Sequence, residues 1–267
     1  MAALAVALVL ILLTAISAGL FWGHAGWLPV DTSAHGPGVD HELNLTLLIT
    51  GLLFGAAQLG LAYAVWKYRE RGDGRKAAGG RGNGRLEAVW TLAVAALFVG
   101  LIFTGYGVWA QMYLSPAPAG ALRIDVQGEQ FAYSFRYPGP DGRFGPIHAD
   151  KIDDAGGNPW GLDRDRDADS KDDVVTATLG IPVGRPVELL LRSRDVGHSF
   201  DVRELRIQQD MLPGVEIPVH FTATRSGQYE IICTQLCGLG HYRMRAFLRV
   251  LPEADFEEWL AEQASAQ

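Results

Sequence analysis

Both cysteines of the chain lie in one short segment, CTQLCGLGHYRM, at residues 233–244. The same segment contains His241 and Met244, so thiol, imidazole and thioether groups occur together. Such a segment can form a small disulfide or bind a metal ion. Thiolate, thioether and imidazole ligands in combination select copper among the biological metals, whereas structural zinc sites are built from cysteine and histidine.

A disulfide between Cys233 and Cys237 is the ordinary expectation for two cysteines in an oxidising compartment. It would close a loop with only three intervening residues. Cross-linking so short a loop contributes little stability, because the chain-entropy effect grows with loop length. A disulfide also gives no reason for His241 and Met244 to follow, so the spacing favours a metal site.

A mononuclear electron-transfer copper needs one cysteine, two histidines and a weak axial methionine. This chain offers two cysteines, and a second histidine must come from elsewhere. His198 in SRDVGHSF, at the start of a predicted strand, is the best candidate. Two bridging thiolates, two imidazoles, one thioether and one backbone carbonyl would complete the coordination of two copper ions. We therefore predict a binuclear copper centre that relays electrons.

Three apolar runs must anchor this site, at residues 2–22, about 45–66 and about 88–113. Each is long enough to cross a hydrocarbon core of about 30 Å. The second and third runs predict a transmembrane helical hairpin within residues 23–113, with a cytoplasmic loop at 67–87. Residues 1–22 are either a signal sequence or an extra transmembrane helix, and the absence of a preceding basic residue favours a retained helix.

The distribution of basic residues predicts the orientation of the hairpin. Residues 67–85 contain seven Lys and Arg, whereas residues 23–44 contain none. The positive-inside rule places the basic loop in the cytoplasm. The chain after about residue 114 then lies on the outer, periplasmic side of a bacterial cell membrane. Because topology accounts for this charge, we expect membrane lipid and no nucleic acid as a partner.

From about residue 121 the sequence changes to short alternating segments separated by Gly, Pro and Asp. This pattern predicts a β-sandwich or barrel in residues 114–252. Residues 253–267 have helical apolar spacing and predict a C-terminal helix. An acidic insertion at 138–173 is predicted to be a solvated loop. From residue 114 onward the chain holds 24 of its 30 acids and 16 of its 23 bases, an excess that attracts a basic soluble partner.

The sequence resembles subunit II of haem–copper oxidases, the cytochrome c oxidase subunit that holds the binuclear CuA centre in a cupredoxin domain. The family pattern C-x-E-x-C-G-x-x-H-x-x-M is met in residues 233–244 except at its glutamate, and DVGHSF matches the element with the remote histidine. LRIQQDMLPG at 205–214 matches the following strand and turn. The implied fold class is membrane-anchored all-β, a transmembrane helical hairpin followed by a cupredoxin-like domain. Residues 1–40 and the acidic insertion lie outside the resemblance.

The resemblance implies a ligand set for two copper ions. It assigns the bridging thiolates to Cys233 and Cys237 and the terminal imidazoles to His198 and His241. The weak axial thioether is that of Met244, and the backbone carbonyl is that of Gln235. At position 235 the family usually has a glutamate whose side chain helps to hold magnesium. Gln235 offers a neutral oxygen, which is a weaker ligand for a hard cation, so magnesium is left out of the prediction. The chain has no C-x-x-C-H motif, so no haem is expected in it.

Two further roles are implied by the resemblance. Glu87 in RLEAVWT matches the family's E-x-x-W-T, which implies the mouth of a proton channel, although a membrane boundary is also where a charge costs least. Phe131 in GEQFAYSFRY stands where the family has a tryptophan-rich stretch that receives electrons from cytochrome c. Alternation places Phe131, Tyr133 and Phe135 on one sheet face, where core packing is the alternative interpretation.

We therefore expect an electron-accepting subunit II of a proton-translocating cytochrome c oxidase, whose oxygen-reducing site lies in another subunit. The expected partners are catalytic subunit I, subunit III and a c-type cytochrome or other soluble electron donor. A copper storage or delivery module is one alternative, and a disulfide-stabilised interaction domain is another. A quinol oxidase subunit II is a third, although such subunits have lost the copper ligands that are all present here.

The other histidines show no ligand spacing: His24, His35, His41, His148 and His220. The first three fall in the predicted outer segment before the hairpin, where solvated side chains are expected.

Overall fold

The computed structural model describes residues 2–23, 27–72, 74, 79–80 and 82–267. These residues form two compact units. The first unit comprises Met1–Pro29 and Gly38–Gly107, and the second comprises Val30–Pro37 and Val108–Gln267. His24 and parts of the predicted cytoplasmic loop lie outside the described residues.

In the described part of the chain, three helices are long and apolar enough to cross a membrane: α1 (Ala2–Trp22), α2 (Gly36–Lys67) and α3 (Gly84–Tyr113). Both hairpin helices begin before their apolar runs, so the predicted starts near 45 and 88 are too late. The Ser33 hydroxyl accepts a hydrogen bond from the Gly36 N–H at the start of α2. Asn83 Oδ1 accepts from the first turn of α3 in the same way. Such caps satisfy free backbone donors and let a helix begin in polar sequence.

The second unit contains two five-stranded sheets. In chain order the strands are β1 (Leu122–Glu129), β2 (Ala132–Tyr137), β3 (Val174–Thr176), β4 (Thr178–Pro182), β5 (Pro186–Ser193), β6 (His198–Val202), β7 (Ile207–Met211), β8 (Ile217–Thr222), β9 (Gly227–Ile232) and β10 (Arg245–Leu251). One sheet has the order β3-β2-β1-β5-β8 and the other β4-β10-β9-β6-β7. The β1–β5 and β4–β10 pairs are parallel. The predicted fold class, a β-sandwich domain that follows apolar helices, is confirmed.

The core lies between the sheets and follows strand alternation. Ile124 and Val126 of β1 are fully buried, as are Leu189 and Leu191 of β5. Successive side chains of a strand point to opposite faces, so these residues share the inner face. Burying side chains of this kind stabilises the fold by roughly 1.5–3 kcal/mol each.

The acidic insertion packs against the outer face of β1 and β2, which corrects the prediction of a solvated loop. Trp160, inside the insertion, has no exposed surface, and its indole N–H donates to the Ser134 hydroxyl at 2.8 Å. The Gln127 amide donates to the Pro159 carbonyl at 3.1 Å. The indole supplies apolar surface that the many aspartates cannot. Its burial contributes free energy that offsets the entropy lost when the insertion is ordered.

A buried ion cluster lies beneath the insertion. The Arg136 guanidinium contacts Asp125 at 2.5 Å and Asp173 at 3.4 Å, and its carbon lies 4.7 Å from the centre of the Trp160 ring. Burial raises the pKa of the Asp173 carboxyl to about 6, although the Gly145 N–H and Arg136 oppose the shift. A buried carboxylate that shares its cation with a second carboxylate is stabilised less than it would be alone.

A short strap, residues 30–37, adds to the edge of β8. Ser33 forms a bridge with Ala223, and the Ala34 N–H donates to the Thr222 carbonyl at 3.0 Å. The Thr224 N–H donates to the Thr32 carbonyl at 2.8 Å. The strap therefore belongs to the sandwich unit, where the sequence predicted an outer loop.

The C-terminal helix α4 (Glu253–Ser265) covers the far edge of the sandwich. Its buried Phe256 and Trp259 contact Tyr137, whose ring centre lies 5.8 Å from that of Trp259. Gly180 lies directly beneath Trp259, where a Cβ would approach the indole to 2.3 Å. The helix thus closes one end of the core with aromatic contacts.

Asp173→Asn tests the ion cluster. The raised pKa means that the folded state binds a proton more tightly than the unfolded state, so Asp173 destabilises the wild type increasingly as pH rises from about 4 to about 6. Asparagine cannot ionise, so the variant lacks this pH-dependent loss of unfolding free energy, which amounts to about 3 kcal/mol at most. Thermal unfolding of the full chain in detergent at pH 4, 5, 6 and 7 measures it. Parallel pH profiles for wild type and variant would contradict the assignment, and exposed Asp141→Asn is the control.

Candidate metal centre

The predicted ligands meet at one end of the second sheet. The central strand β9 lies between β10 and β6 in that sheet. Cys233 follows the last residue of β9, Met244 precedes the first residue of β10, and His198 begins β6. Because β6 and β10 both run antiparallel to β9, their first residues lie beside the end of β9. Strand pairing thus brings His198 to a loop 35 residues further along the chain.

The two cysteines are separate thiols. Their sulfur atoms lie 3.9 Å apart, well beyond the roughly 2.05 Å of a disulfide bond. Both side chains are buried, and one ligand atom from each of His198, Cys233 and Cys237 lies within 4.8 Å of the others. Among the described residues, this is the only such group of three or more His, Cys, Asp or Glu side chains.

The other donors surround the two thiols. His241 Nδ1 lies 3.6 Å from the Cys237 sulfur, and the Met244 sulfur lies 3.7 Å from the same atom. The carbonyl oxygen of Gln235 lies 3.1 Å from the Cys233 sulfur. All six predicted ligand residues are therefore close to the thiol pair. Phe131 lies beside them, whereas Glu87 lies in the first unit, exposed in the first turn of α3.

His198 is held for coordination through one ring nitrogen. Its side chain has no exposed surface, and its Nε2 lies 2.7 Å from Asp195 Oδ1. Its Nδ1 is buried and has no hydrogen-bond partner. If Nε2 carries the proton that Asp195 accepts, Nδ1 carries the lone pair. A buried acceptor without a partner is costly, and a metal ion would satisfy it.

Asp195 is the functional residue that the sequence analysis missed. Besides its contact with His198, it accepts hydrogen bonds from the backbone N–H groups of Gln130 at 2.8 Å and Val196 at 2.7 Å. Although burial opposes the shift, the hydrogen bond with His198 and these two backbone hydrogen bonds lower the pKa of the Asp195 carboxyl. The i, i+3 spacing of Asp195 and His198 was the available signal. A carboxylate on the second nitrogen of a ligating histidine fixes its ring orientation and tautomer.

Burial, reinforced by the neighbouring Cys233, raises the pKa of the Cys237 thiol to about 11. The thiol is thus protonated at neutral pH in the metal-free chain. A metal that binds the thiolate must displace this proton, so binding weakens as pH falls.

Phe131 packs on the cysteine loop and not in the core. A Cβ at Gly240 would lie 2.4 Å from its ring, and one at Gly238 would lie 3.3 Å away. Gly238 also has φ 129°, a conformation that favours glycine. By contrast, Tyr133 and Phe135 are buried core residues whose rings stack with centres 6.4 Å apart. Phe131 thus lies in the turn between β1 and β2, and sheet alternation does not govern its direction.

The donor set fits a pair of copper ions. The thiols of Cys233 and Cys237 and the imidazoles of His198 and His241 would hold the metal, with the Met244 thioether and the Gln235 carbonyl as weaker ligands. This soft set suits copper better than a hard cation. Fold and site together define a class of protein: a β-sandwich that follows helices long and apolar enough to span a membrane, with a cluster of soft donor groups in the loops at one end of a sheet.

Comparisons with known proteins place the chain within this class. The family profile "Cytochrome C oxidase subunit II, periplasmic domain" matches residues 163–250. The alternative cytochrome c oxidase subunit 2 of Bradyrhizobium diazoefficiens is 37% identical over 262 residues, which cover 97% of this chain and 92% of that protein. Cytochrome c oxidase subunit 2 of Thermostichus vulcanus is 31% identical over 296 aligned residues, covering 90% of this chain and 80% of that protein.

A solved structure, the periplasmic domain of subunit II of cytochrome oxidase of Bradyrhizobium japonicum, is 24% identical and covers 57% of this chain and 99% of that chain, with a TM-score of 0.42. From the two sequence relatives, the chain belongs to the cytochrome c oxidase subunit II family. It is accordingly a subunit of a haem–copper oxidase, an oxidoreductase complex.

Asp195→Asn tests the positioning of His198. The asparagine side chain is a weaker acceptor for the two backbone N–H groups, and it lacks the negative charge that fixes the imidazole. We expect copper affinity to fall by about 10–100-fold while the fold is retained. Competition with a copper chelator measures the affinity. The matched control is Asp154→Asn, which removes an exposed ion pair with Arg194, and equal affinities for the two variants would contradict the role of Asp195.

Gly240→Ala tests the packing of Phe131. The added methyl collides with the ring, and we expect a loss of about 1–3 kcal/mol in unfolding free energy. Phe131→Ala removes the ring and with it the collision. In a chain that already carries Phe131→Ala, the Gly240→Ala change should therefore cost little further unfolding free energy. Gly197→Ala is the control, because its Cβ meets only ordinary contacts at 3.8 Å and beyond. Chemical denaturation measures five chains: the wild type, Gly240→Ala, Phe131→Ala, the double variant and the Gly197→Ala control. Additive losses from the two single changes would refute the contact.

Proposed function

We propose that this chain is the electron-accepting subunit II of a respiratory terminal oxidase. In this proposal it takes electrons from a c-type cytochrome at a binuclear CuA centre and passes them to a haem of the catalytic subunit. That subunit reduces oxygen to water and pumps protons. The observation that carries the proposal is the cluster of two free thiols, a buried imidazole with an unpartnered nitrogen, a second imidazole and a thioether.

Two coppers bound here would supply a site that gains and loses one electron with little rearrangement. The chain's own residues provide that rigidity. Strands β6, β9 and β10 fix three of the ligands, and Asp195 fixes the His198 ring. The Gln130 amide donates to the Cys237 carbonyl at 2.6 Å, which holds the cysteine loop against β1. Ligands that cannot move keep the cost of each electron transfer low.

The surface beside the cysteine loop is suited to a protein electron donor. Leu236, Leu239 and Tyr242 expose 76%, 97% and 84% of their surface. Exposed apolar side chains clustered in one loop are typical of a binding surface. The excess of acids in this half of the chain favours a basic donor and speeds its encounter. Phe131, packed on the same loop, is the proposed position at which the electron is received.

The remaining assignments concern the membrane part. We propose that the three helices anchor the chain in a bacterial cell membrane with the copper domain on the periplasmic side, in contact with subunits I and III. Glu87 lies at the start of α3, next to the basic loop. The proposal assigns it to the mouth of a proton channel on the cytoplasmic side.

Copper reconstitution of the full chain in detergent tests the electron-transfer site. We expect two coppers per chain and a seven-line electron paramagnetic resonance pattern, which arises when one unpaired electron is shared by two equivalent copper nuclei. Cys237→Ser should abolish that pattern, whereas Met244→Leu should keep two coppers and shift the reduction potential. A single-copper signal or a metal-free disulfide would refute the proposal. The first outcome would favour a storage or delivery module, and the second an interaction domain.

A further inference from the structure

A second cavity lined by side chains of types that can bind a metal lies in the sandwich unit, and none of its lining residues belongs to the cysteine loop. A cavity of about 140 Å³ is lined by His35 of the strap, Gln111 and Met112 at the end of α3, and His220 of β8. All belong to the second unit. The sequence places these residues far apart and predicted His35 to be solvated, so no spacing pattern pointed to them.

His220 has a defined tautomer. Its Nε2 lies 2.9 Å from the Ser115 carbonyl oxygen, which can only accept a hydrogen bond. Nε2 therefore carries the proton, and in the neutral ring Nδ1 carries the lone pair. A backbone carbonyl on one nitrogen is the usual arrangement for a histidine that ligates a metal through the other.

His35 is similarly prepared. Its Nε2 is buried and has no hydrogen-bond partner. Burial lowers the pKa of His35, against hydrogen bonds to the backbone of Leu205 and Arg206 and the charge of Asp31, and the nearby His220 lowers it further. The shift favours the neutral His35 ring, which keeps a lone pair for a metal ion. A buried nitrogen lone pair without a partner is costly in a folded protein.

The backbone that carries His35 is fixed. Its neighbour Ala34 is hydrogen-bonded to β8, and Ser33 caps α2 while its own N–H donates to Asp31 at 3.0 Å. Gly36 follows so closely that a Cβ there would lie 1.8 Å from the Asp31 carboxylate. These contacts hold the two histidines on adjacent backbone segments, so the cavity does not depend on a flexible loop.

The third soft donor is Met112, which is only 7% exposed. Met112 lines the same cavity as the two histidines, and so does Gln111. Two imidazoles alone would suit zinc, nickel or copper. A thioether is a poor ligand for zinc and a good one for Cu(I), so the combined set favours monovalent copper.

We infer that His35, His220 and Met112 form a second, mononuclear Cu(I)-binding site at the edge of the sandwich, separate from the binuclear centre. The ligands are His35 Nε2, His220 Nδ1 and the Met112 sulfur. The inference does not depend on the proposed function, because none of these residues belongs to the cysteine site.

Metal counting on the full chain tests this site. The chain is purified in detergent, loaded with two coppers, and titrated with Cu(I) under anaerobic conditions against a Cu(I)-specific chelator. We expect one further copper per chain in the wild type, and its loss in His35→Gln and in His220→Gln. Met112→Leu, which preserves volume, should weaken Cu(I) binding by about tenfold and leave zinc binding unchanged.

His148→Gln is the matched control, since His148 pairs with Asp167 at 2.6 Å and does not line this cavity. It should keep the additional copper. The seven-line signal should persist in every histidine variant, which shows that the sandwich is folded. A wild type that stops at two coppers, a double histidine variant that keeps the third, or tighter binding of Zn²⁺ than of Cu(I) would overturn the inference.

A chain with both cysteines changed to serine separates this inference from the proposed function. It should bind one Cu(I) if the second site exists, whatever the outcome of the binuclear reconstitution. A cysteine-free chain that binds no Cu(I) would overturn the second site alone. X-ray absorption of the copper in that chain should show two nitrogen ligands and one sulfur ligand, and a spectrum without sulfur would remove Met112 from the site.

Discussion

The close approach of two buried thiols is the constraint on which the rest of the site depends. Two cysteine sulfurs 3.9 Å apart and free of a disulfide need neighbours that hold the loop open. Strand β9 fixes the first thiol, Gln130 fixes the carbonyl of the second, and Gly238 provides the backbone conformation between them and His241. A side chain at position 240 would collide with the Phe131 ring, and one at position 238 would collide with the Gln130 amide. The ligand geometry is therefore a property of the sandwich as well as of the motif.

Buried charged groups in this protein are stabilised by the oppositely charged and aromatic side chains around them. Arg136 is surrounded by two carboxylates and by the faces of Phe144 and Trp160, which satisfies a charge that would be costly in isolation. At the opposite extreme, His198 and His35 each retain a buried nitrogen without a partner. Other buried side-chain atoms also lack a partner, among them Arg136 Nε and one carboxylate oxygen of Asp173. An unpartnered nitrogen therefore indicates a ligand position only where further metal-binding side chains lie around it, as they do at His198 and His35.

The motif and the strand pattern predicted the ligand residues and the fold class from the sequence, because ligand spacing and two-residue periodicity are local signals. The features that the sequence did not predict depend on contacts between distant segments, or on single residues that outweigh the composition around them. Asp195 was missed because its role depends on the direction of the His198 ring. The many aspartates of the acidic insertion predict a solvated loop, although the single Trp160 decides how the insertion packs. The strap and the starts of the helices were missed since hydropathy detects apolar runs and not capping hydrogen bonds.

The strap has a consequence for work with fragments of the chain. Sheet edges expose unpaired backbone N–H and C=O groups, and such groups recruit strands from other molecules. Residues 32–34 occupy part of the β8 edge beside Thr222 and Thr224. A soluble fragment that begins after α3 loses this cover, together with the backbone that carries His35. Self-association of such a fragment through β8 would therefore be an artefact of truncation, and the strap supplied as a peptide should suppress it.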